Sequence, residues 1–171
     1  MMESPYRIRP ANLADSEQLR RVMKVTLANP EGRAVRKSYG DAAQRGELLV
    51  LERYDSRERA WQIAAFVEWH TRIDGGMTIR DAGSVGDVPQ TGISKRLIRE
   101  MLRMQSPAGA TVKVRADQPL WNAIFEELPG FRPEGKEFSR PHWRNIWTWS
   151  REAEQPRPPT ARERGQPRPR R

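Results

Sequence analysis

The 171-residue chain has no cysteine, which excludes disulfides, thiolate metal sites and a cysteine nucleophile. Histidine is nearly as scarce. His70 and His142 are the only imidazoles, too few for a histidine-rich metal centre, and a Ser-His-Asp triad is not expected. No apolar run reaches the ~18–20 residues of a membrane-spanning helix, and the opening MMESPYRIRP lacks the basic-then-apolar layout of a secretory signal. A cytoplasmic location without a membrane partner is therefore expected. Lysine is also sparse, five against 26 arginines. Arginine is the better fork for phosphate or carboxylate, although the base composition of a genome produces the same bias.

What is present suffices for one domain. Apolar residues make up 36% of the chain and include six Trp, and they fall in periodic segments long enough to bury a core. The net charge is +9, and residues 151–171, with seven Arg, three Glu and five Pro, hold +4 of it. That segment has no apolar period and nothing to offset its chain entropy, so it is predicted to be an extended or disordered tail. The expected organisation is a compact α/β domain over 1–150 and a basic Arg/Pro tail over 151–171.

Within the domain, Tyr6–Arg9 alternates as a short strand does, and Pro10 ends it. Asp15 with Gln18 makes an N-cap pair for a helix carrying Leu19, Val22, Met23 and Leu27 on one face. A weaker helix is expected over 34–45, stopped by Gly46. Leu48–Leu51 reads as a buried strand, Trp61–Trp69 as a long alternating one, and Met77–Ser84 as its return after the Asp74-Gly75-Gly76 turn. A helix after Gly92, a strand over 110–115, a helix from Pro119 to the Pro129-Gly130 stop and a strand over 138–149 complete the order β-α-α-β-β-β-α-β-α-β.

That order, together with two motifs, resembles the GNAT N-acetyltransferase family over about residues 6–149. The stretch Val88-Pro89-Gln90-Thr91-Gly92-Ile93-Ser94-Lys95-Arg96-Leu97-Ile98 is similar to the family's coenzyme loop, Gln/Arg-x-x-Gly-x-Gly/Ala, with Ser94 at the second small position and Pro89 or Gln90 at the leading one. The stretch from Val112 to Phe131, with Asn122, Phe125 and the Gly130-Phe131 ending, is similar to the strand and helix that follow in the family. The resemblance implies a mixed central sheet of about six to seven strands flanked by about four helices. It also implies acetyl-CoA as co-substrate, with its pyrophosphate on helix-start amides. Val88, Gln90, Thr91, Gly92, Ile93, Ser94, Lys95, Arg96, Asn122 and Phe125 are the implied coenzyme residues. Phe125 stands where family enzymes often carry a Tyr acid, and a phenyl ring donates no proton.

A direct attack by an amine also needs a base. Glu68, Asp81 and His70 are the candidates on the middle strands, with Glu68 and Asp81 ranked first; the plainer reading of each is a solvent-facing strand residue. Trp143, Trp147 and Trp149 share one parity and read as sheet core or as a stacking platform. The Gly92 loop has a plain reading too, a tight strand-to-helix turn without a ligand. Two functions follow from the resemblance. One is acetyl transfer from acetyl-CoA to an amine. The other is a lapsed GNAT-like protein that binds or assembles, with its basic tail on nucleic acid or an acidic protein. A second copy of the chain in a homodimer is a further expected partner, and no metal is expected.

Overall fold

The computed structural model describes residues 5–33 and 38–154. Seven strands form one mixed sheet: β1 (Tyr6–Pro10), β2 (Leu48–Asp55), β3 (Ala60–Thr71), β4 (Met77–Ser84), β5 (Ala110–Arg115), β6 (Phe131–Ser139) and β7 (His142–Trp149). Their spatial order is β1-β2-β3-β4-β5-β7-β6, and every neighbouring pair is antiparallel except β4 with β5. The helices are α1 (Asp15–Val22), α2 (Gly40–Gln44), α3 (Thr91–Gln105), α4 (Pro119–Glu127) and α5 (Arg151–Glu154). A helical crossover between β4 and β5 is what parallel pairing requires.

Both faces of the sheet are covered, and β2 shows how. Leu48 and Val50 join Ile63 and Phe66 under Leu19, Met23, Tyr39 and Ala42 from the α1/α2 side. Leu49 and Leu51 point the other way, into a larger core with Leu97, Ile98, Met101, Trp121 and Ile124 from α3 and α4. A strand buried on two faces therefore reads as a continuous apolar run rather than an alternating one.

Several boundaries differ from the sequence reading. Asp15 does not cap α1. Its carboxylate accepts from the Asn12 N–H at 2.8 Å while Asn12 Oδ1 accepts from the Asp15 N–H at 3.2 Å, a reciprocal pair set three residues earlier than the Asp15/Gln18 pair. The helix expected over 34–45 is described only as Gly40–Gln44, and residues 34–37 lie outside the described residues. The last strand is a hairpin of two, β6 and β7. The chain also runs on past Trp149 into α5, whose Arg151 bonds Ser106 Oγ. The rest of the basic tail, 155–171, lies outside the described residues. Among the described residues no helix is long and apolar enough to cross a membrane.

Candidate functional site

Strands β4 and β5 pair only at Met77–Ala110, Thr78–Thr111 and Ile79–Val112. Beyond those pairs they separate, leaving a cleft between residues 80–84 and 113–115. A segment after α1 lies across it. Thr26 bridges Gly83, the Leu27 N–H donates to the Ala82 carbonyl at 2.9 Å, and the Ala28 N–H donates to Asp81 Oδ1 at 3.0 Å. On the far side, Glu31 meets Arg115 at the end of β5 at 3.1 Å. Residues 26–31 thus form a strap from β4 to β5. Gly83 is needed for it, since a Cβ there would lie 2.7 Å from the Phe66 ring and 2.8 Å from Thr26 Cγ2.

The turn from β4 into α3 sits at the same end. Val85 still bonds back to β3, its N–H donating to the Ala64 carbonyl, and Gly86 then reverses the chain at φ +102°. Gln90 fastens the turn twice, donating its N–H to Ser84 Oγ at 2.8 Å and its Nε2 to the Val85 carbonyl at 2.9 Å. That side chain is therefore spent on the loop and makes no capping bond to α3. The amides of Thr91, Gly92 and Ile93 are the first-turn donors that a helix cannot satisfy internally. A Cβ on Gly92 would meet nothing within 4 Å, so the backbone there faces open space. Ser94, 3% exposed, lies one turn below with no partner for its Oγ.

The other coenzyme candidates divide. Val88 is exposed at the turn, and Ile93 packs on the α3/α4 core. Lys95 pairs with Glu127 at 2.6 Å and the Arg96 guanidinium lies over the Tyr6 ring. Lys95 and Arg96 border a cleft of about 750 Å³ that also reaches Arg99, Leu128, Trp149 and Arg151. Asn122 and Phe125 are not brought to the loop. Asn122 donates to the Arg115 and Gln118 carbonyls and accepts from Asn145 Nδ2 and Trp147 Nε1, which fills its amide. Phe125 is fully buried against Phe131.

Glu68 and Asp81 stand opposite each other in the β3–β4 register, on the face covered by α1 and α2. Asp81 is 7% exposed, and it accepts from the Tyr39 hydroxyl at 3.0 Å, the Ala28 N–H and the Ala82 N–H. Glu68 is half-buried and takes no hydrogen bond or ion pair from the described residues. Burial, and then the charge of Asp81, push its carboxyl above the ordinary glutamate value. His70 instead leans on Glu47, 3.7 Å away. Trp147 and Trp149 are core, whereas Trp143 is exposed and packs on Phe138. The strap, Arg115 and Tyr39 were not legible beforehand: the contacts that bring them together, Tyr39 and Ala28 to Asp81 and Arg115 to Glu31, span 42–84 positions of the chain. Among the described residues no cluster of acidic groups and histidines could hold a metal.

By sequence the chain matches no family model and no curated protein. Its backbone is similar to solved acetyltransferases. The spermidine N-acetyltransferase of Vibrio cholerae, solved with CoA and spermine, aligns with a TM-score of 0.66 over 89% of this chain and 99% of that one at 16% identity. The ribosomal-protein-S18-alanine N-acetyltransferase of Escherichia coli gives 0.60 over 84% and 92% at 14% identity. A GNAT-family acetyltransferase of Bacillus cereus gives 0.62 over 85% and 96% at 12% identity. At these identities the likeness shows the fold.

Proposed function

We propose that this chain, whose fold is that of the GNAT acetyltransferases, transfers an acetyl group from acetyl-CoA to an amine by direct attack. The observation that carries the reading is the coincidence of three features at one end of the sheet: the β4–β5 cleft, the free first-turn amides of α3, and open space over Gly92. Unpaired amides at the positive end of a 15-residue helix suit a pyrophosphate. When bound, acetyl-CoA supplies a thioester already activated for acyl transfer. The chain supplies position and proton handling. In this reading Thr91, Gly92 and Ile93 bind phosphate through their backbone, while the buried Ser94 lies beneath them. Glu68 takes the proton of the attacking ammonium directly or through water, as a half-buried carboxylate that burial and the charge of Asp81 make a stronger proton acceptor than an ordinary glutamate. Asp81, the other candidate base, is already committed to three donors among the described residues. Fixing both reactants in one cleft contributes the proximity that such a reaction needs.

A second reading, a binding protein without turnover, is favoured by Phe125, which offers no proton to a departing thiolate. Calorimetric titration of the full chain with acetyl-CoA and CoA, followed by thiol release over a panel of amines, tests both. Saturable one-to-one binding that is lost in Gly92→Trp, with that variant's melting temperature unchanged, supports coenzyme binding. No heat up to millimolar coenzyme overturns it, and binding without thiol release selects the second reading.

A further inference from the structure

The structure assigns Asp81 the role of a positioning residue, one that anchors the strap and Tyr39 to β4 and sets the charge that Glu68 faces. The inference rests on reading Glu68 as the proton-accepting group. Among the described residues, three elements meet at Asp81. Its Oδ1 holds the Ala28 N–H of the strap and the Ala82 N–H of its own strand, and its Oδ2 holds the Tyr39 hydroxyl at the start of α2. Tyr39 is itself fixed, its ring edge-on to Phe66 at 5.0 Å and its N–H on Ser16 Oγ at 3.0 Å. A carboxylate held this way is a fixed charge in the wall of the site rather than a mobile one.

Glu68 is the residue directly across the strand pair from it. Side chains so opposed have Cβ atoms about 4.5–5.5 Å apart, within the range where like charge disfavours ionisation. Among the described residues, the charged groups that act on Glu68 are Asp81 and Arg80 on β4, Arg45 after α2, and Glu47 before β2. His70, two positions along β3, stands beside Glu47. Arg45 and Glu47 are joined at 2.7 Å and largely cancel at a distance, and Arg80 is exposed where Asp81 is buried. Asp81 is therefore the dominant fixed charge on Glu68. Because the same carboxylate holds the Ala28 N–H, docking of the strap and the proton affinity of Glu68 are linked through it.

The test is a pH titration of the full-length chain with 13C-labelled glutamate, the Glu68 carboxyl resonance being identified by its loss in Glu68→Gln. Asp81→Asn removes the charge and keeps an oxygen for Ala28. It is expected to lower the proton affinity of Glu68 at least about threefold, the direction required when a nearby like charge is removed. Tyr39→Phe keeps the ring on Phe66 and deletes the donor, leaving Asp81 less neutralised, so the Glu68 midpoint is expected to rise. That variant decides the matter if Asp81→Asn does not fold. An unmoved Glu68 midpoint in the folded variants overturns the assignment. The readout needs neither coenzyme nor turnover, so its failure is distinct from failure of the acetyltransferase reading, which calorimetry decides.

Discussion

At the scale of single residues, the strongest electrostatic feature lies away from the cleft. Arg9 bonds Asp15 at 2.8 and 2.9 Å and Glu52 at 2.9 Å, while Arg7 reaches Glu52 from β1 at 2.8 Å. The hydrogen bonds from Arg9 hold Asp15 below the usual carboxylate range. Burial pushes Glu52 up, but Arg9 and Arg7 together bring it below the ordinary glutamate value. Acids depressed in the folded chain contribute stability that is present above their unfolded values, about 4, and lost as pH falls through the folded ones. Arg9→Met should leave both carboxylates short of a partner and cost about 2 kcal/mol at pH 7. That is less than the ~3–5 expected for a fully buried pair, because Arg9 is 30% exposed and Arg7 still serves Glu52. Urea denaturation at pH 7 and pH 3 checks this; the gap between variant and native chain should narrow at the lower pH.

At the scale of elements, most of the order was legible because most elements carry a period. The α3 face of Leu97, Ile98, Met101 and Leu102 and the Pro119 start of α4 appear as the sequence suggests, whereas β3 is a strand but not an alternating one. Its residues 63–67 are buried on both faces, and the bulge at Ala64 puts Ile63 on the α1/α2 side and Ala65, Val67 and Trp69 on the other. Strand β6 departs further. It is an edge strand paired only to β7, mostly solvent-facing, and it carries Pro133 and a bulge before Gly135, so it lacks the alternation that marks an inner strand. Asn122 shows the matching gap in the site. Its sequence context suggests a coenzyme contact, whereas its amide joins the end of β5, the start of α4 and β7. Asn122→Ala would leave the buried Trp147 Nε1 without an acceptor, at about 1–3 kcal/mol. Chemical denaturation with tryptophan fluorescence should register that loss, and unchanged stability would show the linkage to be idle. The Gly92 loop was the legible part of the candidate site, as a turn into α3 whose geometry is local. The Glu68–Asp81–Tyr39 group was half legible: the two carboxylates stand out on their strands, but what binds them comes from α2 and the strap.

At the scale of the whole molecule, more than half of the net charge of +9 belongs to residues 155–171, which lie outside the described residues. Residues 155–171 carry six arginines and one glutamate, and Arg151 and Glu154 belong to α5 at the end of the described fold. A chain ending at Glu154 is expected to melt at the same temperature as the full chain. Its log-affinity for duplex DNA or a similar polyanion should lose salt dependence, by about 0.9 per phosphate contact removed. Melting curves and a salt series on both chains check this, and an unaltered salt slope would place the polyanion affinity on the folded surface instead. The parallel seam has a mechanical consequence. Within the sheet, three residue pairs join β1–β4 to the block of β5, β7 and β6, so the two leaves share a short spine. Anything lodged between the leaves works as a keystone. Its grip would be felt as slower deuterium uptake along the spine at 77–79 and 110–112, at a distance from every atom it touches.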